Sequence, residues 1–365
     1  MYYLYKHKDY PNFVWDSDVI FPLLAEVRLL QGKLLGKMQS FGFNLQNQAT
    51  LDTLTLEIIK SNEIEGEFLD IDKVRSSIAR KLGIELANEE QYDYNIEGIV
   101  DMVFDATYKS NEPITEQRLF GWHNALFPNG MSGLYKIKTA TWRDDSTGPM
   151  QVVSGALGKE KVHFQAPDAK LVPMQMQQFI EWFNTNNIDE VLKAAIAHLW
   201  FVTIHPFEDG NGRIARALTE LLLARSDKSN LRFYSMSAQI RLQRKSYYDM
   251  LEKTEQGGME ITLWINWFLK CLKNAITSSE ETLSRVLKKA EFWKKNVETP
   301  LNERQILMLN KLLDGFDGKL KTSKWAKITK ISTDTALRDI KDLVEKGILQ
   351  PANEGGRSAN YEIVE

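Results

Sequence analysis

Residues His205–Arg216 read HPFEDGNGRIAR. Pro206 has no amide hydrogen and cannot continue a helix, so the apolar run before it is expected to end at about Ile204. His205 then falls at an element boundary, where side chains commonly face a cleft. A helical pattern resumes near Asn211, and Gly210, Asn211 and Gly212 form the turn into it. The first N–H groups of a helix lack partners and the macrodipole is positive at that end, so the spacing predicts an anion-binding nest. Arg213 and Arg216 share a face of the new helix. Two guanidinium groups beside a nest suit a polyphosphate, which they can grip bidentately. Asp209 adds a carboxylate at the same rim, as a magnesium ion bridging phosphates requires. His205 is the group to take a proton from an incoming hydroxyl near neutral pH. Phe207 is expected to lie buried beneath the loop.

Helical spacing dominates on both sides of this stretch, and the fold class read from it is mainly α. Upstream, residues 18–40 place Leu23, Leu24, Val27, Leu30, Leu34, Leu35 and Met38 at helical intervals. Before them, Tyr2, Tyr3, Leu4, Tyr5 and Trp15 suit a short strand or an aromatic anchor. Further helices are expected over 52–61, stopping near Gly66, and over 70–81, ended by Gly83. Residues 91–109 again show helical spacing. Pro113 and Thr115 open the next helix, which holds Trp122 and His123 and breaks at Pro128, Asn129 and Gly130. Residues 133–165 differ: they are glycine-rich, with β-prone runs at 139–143, 150–153 and 161–165. They predict a β-hairpin turning near 155–159. Helices follow at 172–184, 189–203, 211–226, 245–255 and 260–277. A charged helix at 279–296 and a break at Pro300 lead to helical patterns at 301–315, 322–329 and 332–346. ILQPAN, a Gly355–Gly356 turn and NYEIVE complete a winged-helix pattern. The chain thus divides into an N-terminal helical extension (1–87), a core (88–278) and a linker helix with a winged helix (279–365).

The 365 residues carry 46 Lys and Arg against 49 Asp and Glu, a formal net charge of −3, which excludes a global electrostatic footprint for nucleic acid. The single cysteine, Cys271, rules out an internal disulfide and a Cys-rich zinc site, and suits a reducing cytosol. The opening MYYLYKHKDYPNF has no apolar core of signal-peptide length, and no run approaches a membrane span. A cytoplasmic location without membrane contact is expected. No GxxxxGK(S/T) sequence is present, so a P-loop is excluded.

HPFEDGNGRIAR resembles the signature of the Fic family, HxFx(D/E)GNGRxxR, at every fixed position. The resemblance implies a helical core with a β-hairpin flap. It also implies transfer of AMP from ATP, with Mg2+, to a Ser, Thr or Tyr hydroxyl of a target protein, releasing pyrophosphate. By motif position, His205 resembles the general base and Asp209 the magnesium-binding acid. Asn211, with the amides of Gly210 and Gly212, resembles the cradle of the α- and β-phosphates. Arg213 resembles a phosphate contact, and Arg216 the arginine that holds the γ-phosphate. Residues 61–66, SNEIEG, resemble the family's inhibitory motif (S/T)xxxE(G/N) at Ser61, Glu65 and Gly66. The implication is that Glu65 pairs with Arg216 and occupies the γ-phosphate site. Met150, Gln151, Val152 and Val153, with 162–165, resemble the flap that docks a target segment through main-chain hydrogen bonds. Family members often carry Gly-x-Tyr-Arg just before the flap, where this chain has Gly133, Leu134, Tyr135 and Lys136. Tyr248 resembles an aromatic group flanking the nucleotide base. The N-terminal block resembles an extension found on a bacterial subgroup of Fic proteins that carries a winged helix at its other end.

Three functions are compatible with these residues. The first is a self-inhibited protein adenylyltransferase. The second is the reverse reaction, AMP removal, with Glu65 positioning or activating water. The third is a nucleotide-sensing regulator that binds DNA. The expected recognition helix, 332–346, mixes Arg338, Lys341 and Lys346 with Asp334, Asp339, Asp342 and Glu345, which is poor electrostatics for phosphate contacts. The basic run 319–330 suits DNA better. Protein docking or homodimer assembly is the alternative use of this tail, and family members commonly form dimers.

Overall fold

Short polar side chains start many of the helices. Asp16, Asp70, Asp189 and Ser332 each accept from the first free N–H groups of the helix that follows, which is N-capping. Left-handed glycines end others: Gly66 and Gly83 take φ of 86° and 66°, a conformation that costs glycine little. The computed structural model describes all residues except 1, 2, 87–89, 147, 156–160, 317, 353–359 and 365, and not the side chains of 281 and 282.

The elements in chain order are α1 (Ser17–Gln39), α2 (Phe43–Glu65), α3 (Ile71–Leu82), α4 (Tyr94–Tyr108) and α5 (Glu116–Leu126). A small antiparallel hairpin, β1 (Met131–Ser132) and β2 (Tyr135–Lys136), precedes a larger one, β3 (Gln151–Ser154) and β4 (Lys161–Gln165). Then come α6 (Val172–Thr185), α7 (Glu190–Ile204), α8 (Asn211–Asp227), α9 (Met236–Leu242), α10 (Arg244–Glu255) and α11 (Thr262–Lys295). The chain ends with α12 (Glu303–Leu313), α13 (Thr322–Thr329), α14 (Thr333–Glu345) and the antiparallel pair β5 (Leu349–Pro351) and β6 (Tyr361–Ile363).

The chain falls into two compact units, residues 1–84 with 90–280, and residues 85–89 with 281–365. The first is organised around α7. Its residues Val191–Ile204 are all buried, as expected of a helix that is apolar all round. It packs against the nearly as buried α8. The loop between these two helices is residues 205–210, so the motif read from the sequence sits at the end of the most deeply buried helix pair. In the second unit, Met308, Leu309, Trp325, Ile340 and Leu343 form a separate core under the β5–β6 pair, where Leu349 faces Ile363. Its order is helix, helix, helix, hairpin. Asp339 turns inward and is held by Arg304 at 2.8 and 2.9 Å, and Asp342 accepts from Gln305. Asp339 is thereby neutralised inside the unit, and Asp342, which is partly exposed, pairs with Lys346 at 2.5 Å, so two of the acids that weighed against α14 as a nucleic-acid contact already have cationic partners.

Several expectations need correction. Among the described residues the aromatic N-terminus forms no strand: Leu4–Lys6 is one 3-10 turn. The anchor reading fits, since Tyr3 and Tyr5 stand edge-on to Phe164 at 5.2 and 6.1 Å; Tyr2 lies outside the described residues. The β-prone run 139–143 is irregular, with Ala140 at a φ of 53°. α2 begins at Phe43 rather than at 52, because buried Thr50, Thr53, Thr55 and Glu57 blur its apolar period. The helices expected at 260–277 and 279–296 are one, α11, since the serines and glutamates between them do not break a helix. α9 and the β1–β2 hairpin were not foreseen. Residues 156–160 of the expected hairpin turn, and the Gly355–Gly356 turn, lie outside the described residues.

Candidate active site

α7 stops at His205, whose backbone is left-handed (φ 52°) and whose N–H closes the last turn on Phe201 O at 3.0 Å. The imidazole Nδ1 lies 3.2 Å from Val202 O. A carbonyl only accepts, so Nδ1 carries the proton and Nε2 keeps a free lone pair. Burial, with a contribution from the Arg143 charge, lowers the pKa of His205 to about 4. The ring is therefore neutral at pH 7. Phe207 is fully buried beneath the loop, as expected, and stacks on His123 at 4.2 Å. His123 contacts the Asp209 carbonyl through Nε2 at 3.2 Å and accepts from Ala140 N through Nδ1 at 3.3 Å.

Gly210 enters α8 at a φ of 80°, and a Cβ there would fall 2.9 Å from the Phe127 ring. Asn211 is spent on the loop itself: its amide accepts from Phe207 N at 3.0 Å and donates to Phe207 O at 2.9 Å. What it offers an anion is its backbone N–H. The Asp209 carboxylate, which is partly exposed, accepts from Ser132 Oγ and from Gly210 N.

The two motif arginines lie side by side on α8 and are 3% exposed as side chains. Arg216 donates through Nε to Ser61 Oγ at 2.8 Å, and through Nη2 to Ser61 O at 2.9 Å and Glu65 Oε1 at 2.7 Å. Glu65 lies against Gly212 so closely that a Cβ at 212 would collide with Oε1. Gly66 then turns the chain, with Glu67 N donating to Asn62 O at 3.0 Å. The turn brings Glu67 onto Arg213 Nη1 at 2.6 Å. Arg213 also covers the Phe127 ring at 4.9 Å. Arg213 Nε and Arg216 Nη1 are buried donors with no acceptor among the described residues. Tyr248 reaches the same helix end, its hydroxyl 3.4 Å from Ile64 O, and burial raises its pKa to about 12.

The larger hairpin starts at Gln151, so Met150 only leads into it. Met150 and Val152 pack against the Tyr3, Phe164 and Ala166 cluster, while Gln151 and Val153 face solvent. Residues 156–160 between its strands are outside the described set. The hairpin is tied to α10: His163 Nδ1 meets Glu252 at 2.7 Å and His163 Nε2 meets Ser154 Oγ at 2.6 Å.

Residues 113–223 match the family model described as Fic/DOC family. The chain carries a Fic/DOC-family domain. Residues 3–84, ahead of the Fic domain, match a model described as a domain of unknown function, DUF4172. A probable protein adenylyltransferase of Aquifex aeolicus is 26% identical over 222 residues, 58% of this chain and 61% of its own length. A Caenorhabditis elegans protein adenylyltransferase is 42% identical over 66 residues, 17% of this chain and 13% of that protein. The chain thus spans less than two thirds of these relatives. Among solved structures, a Fic family protein of Desulfovibrio desulfuricans covers 97% of this chain and 98% of its own, with a TM-score of 0.55 at 19% identity. Caenorhabditis elegans Fic-1 covers 73% of this chain and 75% of its own, with a TM-score of 0.50 at 19% identity. The Fic fold is common to them.

Sequence reasoning missed several residues, inside and outside the Fic domain, that the fold brings toward this site. Glu67 was legible only as the next acid after SNEIEG. Arg143 lay in a run taken for a strand, yet its guanidinium donates to His205 O at 2.7 Å. Glu57, inside α2, is buried and accepts from Ser235 Oγ at 2.7 Å and Ser237 N at 3.0 Å. Nothing in its local sequence marks it. No group of three or more His, Cys, Asp or Glu able to hold a metal occurs among the described residues. Magnesium needs only one or two protein carboxylates when phosphates supply further ligands. The exposed carboxylate of Asp209, at the rim of the α8 N-terminus, fits an ion brought in with a nucleotide.

Proposed function

We propose that this protein is a self-inhibited protein adenylyltransferase, moving AMP from ATP to a Ser, Thr or Tyr hydroxyl of a target protein. The observation that carries this reading is the pairing of two buried arginines at the N-terminus of α8 with carboxylates from the end of α2. Buried cations that need anions, beside a helix N-terminus, are built for a polyphosphate. Glu65 and Glu67 stand in the places of its charges. The relatives named as adenylyltransferases support the same reading.

In the proposed reaction the target hydroxyl oxygen bonds to the α-phosphorus, the bond from that phosphorus to the bridging oxygen breaks, and pyrophosphate leaves. His205 Nε2 takes the hydroxyl proton, while Nδ1–H stays on Val202 O and fixes the tautomer. The backbone N–H groups of Gly210, Asn211 and Gly212 form the phosphate cradle. Arg213 stabilises charge on the leaving group and Arg216 holds the γ-phosphate. Magnesium, held by Asp209, would neutralise phosphate charge. Tyr248 flanks the base. The flap docks the target through the main chain of β3, with Gln151 and Val153 on its open side. Positioning and electrostatics supply most of the acceleration in such transfers.

Self-inhibition follows from occupancy. With Glu65 on Arg216, the γ-phosphate meets a carboxylate and is repelled. The proposed organisation is an inhibitory extension over 1–87, a catalytic core over 88–278, and a linker with a winged helix over 279–365. Among the described residues no helix is long and apolar enough to cross a membrane. We place the protein in a bacterial cytoplasm, in keeping with its single, buried cysteine.

The test is incorporation of label from α-labelled ATP with magnesium in host lysate. Glu65→Gly should label at least about tenfold more than the wild type, the scale on which one charged contact at a phosphate site changes binding. Glu65→Gly/Glu67→Gln should lower the KM for ATP further, by about two- to fivefold, because Glu67 is partly exposed and a pair of that kind is worth little. Glu65→Gly/His205→Ala should be silent. Equal labelling by all variants would overturn the reading, and Glu65-dependent loss of AMP from a pre-modified target would assign the reverse reaction.

A further inference from the structure

We propose that Arg143 is the positioning residue that sets His205 against the flap, so that a hydroxyl docked on β3 meets the base. The inference rests on the transfer reading above and goes beyond the motif, from which Arg143 is remote in sequence.

Arg143 is 3% exposed. Its Nε donates to His205 O at 2.7 Å, and its Nη2 to Pro167 O at 2.6 Å and Ile204 O at 3.4 Å. Its Nη1 donates to Asp145 Oδ1 at 3.1 Å. Its backbone N–H donates to Pro206 O at 2.9 Å. Ile204 and His205 supply the last carbonyls of α7, which no helical N–H can satisfy, and a cation there also complements the dipole. Asp145 and Pro167 bracket the flap, one before β3 and one after β4. Asp145 in addition accepts from Ala169 N at 2.7 Å. Ala166 N returns to Met150 O at 3.0 Å, closing the base of the hairpin. One guanidinium therefore joins the segment that carries the base to both ends of the hairpin that docks the target.

His205 holds a left-handed backbone, which a residue other than glycine keeps only when its surroundings over-determine it. Arg143 supplies that constraint from below. Its neighbour Trp142 lies against Phe207 at 5.1 Å and Phe120 at 4.6 Å, so residues 142 and 143 grip the loop at two points. The role needs the planar fork of arginine. A lysine ammonium is a single point and cannot serve acceptors spread over three segments.

The experiment compares Glu65→Gly with Glu65→Gly/Arg143→Lys in host lysate, following initial labelling from α-labelled ATP at varied ATP, with melting temperatures measured in parallel. The expected result is a fall of about 10- to 100-fold in the maximal rate with the KM for ATP unchanged within about twofold, since misplaced reacting groups cost rate rather than nucleotide binding. Asp145→Ala, at a partly exposed acid, removes one anchor without opening the core. It should lower the maximal rate about three- to tenfold by the same route, and it carries the test if Arg143→Lys does not fold. An unchanged maximal rate in a folded variant, or a loss that resides in the KM for ATP, overturns the inference while leaving the transfer reading intact. Labelling by Glu65→Gly/His205→Ala equal to that of Glu65→Gly overturns the transfer reading, and this inference with it.

Discussion

The proposed role of His205 as a base rests on its surroundings rather than on the imidazole alone. The Val202 carbonyl fixes which nitrogen carries the proton, and burial brings the pKa down to about 4. A depressed pKa means that the folded protein refuses a proton which the unfolded chain accepts below about pH 6.5. The group's contribution to stability is thus present above pH 6.5 and lost as pH falls toward 4. The same sign governs activity, because only the neutral ring can accept a proton. The labelling rate of Glu65→Gly at pH 6 should match that at pH 7.5 and fall only below about pH 5, as a pH–rate profile will show. A half-maximal rate at pH 6.5 would mean an unperturbed histidine. The motif arginines teach the complementary lesson: their charge was legible, but their carboxylate partners come from another helix.

At the scale of elements, the proposed inhibition makes α2 the part that opens or closes the site. Its last turn carries Ser61 and Glu65 onto Arg216, while Arg244 Nε and Tyr248 Oη both reach Ile64 O. Farther back, Glu57 is buried and accepts from Ser235 Oγ, Ser237 N and Ser237 Oγ, pinning α2 to the start of α9. Removing that carboxylate leaves buried donors unsatisfied, which costs about 2–4 kcal/mol. Glu57→Ala should lower the urea midpoint and raise wild-type labelling several-fold, though less than Glu65→Gly does, because a loosened α2 releases Arg216 more often. A loss of stability with labelling unchanged would show that Glu57 supports the fold alone. α2 was only half legible, because its buried threonines and Glu57 hide the apolar stripe. α9 is short, and α11 runs through a polar stretch that reads as a break.

At the scale of the whole molecule, the extension and the Fic domain form one unit. Arg28 on α1 pairs with Asp189 at 2.7 Å, and Gln31 donates to Asp227 at 2.9 Å and Tyr234 at 3.2 Å. α2 also buries Leu51, Leu54 and Ile58 completely. Losing these three at about 1.5–3 kcal/mol each comes to about 5–9 kcal/mol, comparable to the whole stability of an ordinary domain. Deletion of residues 1–84 should therefore give an unfolded or aggregated product rather than an unleashed enzyme. A Glu65→Gly protein ending at Glu280 should still melt cooperatively and label, since residues 281–365 have a core of their own. Circular dichroism melts and labelling of the two truncations check both outcomes, and a folded, active 85–365 fragment would contradict the first.

The sequence by itself determined the helical class, the loop His205–Arg216 with its histidine, glycine turn and arginines, and the stop at Gly66. These depend on neighbours in the chain: a proline that ends a helix, glycines that turn, and arginines spaced to share a face. Only the tertiary structure decided which partners meet them. Glu67 reaches Arg213 because Gly66 is left-handed, Asn211 is spent on Phe207, and Arg143 reaches the His205 carbonyl across the base of the flap. Those contacts join residues far apart in the chain, and their geometry is set by packing around α7 and α8, which no local pattern encodes.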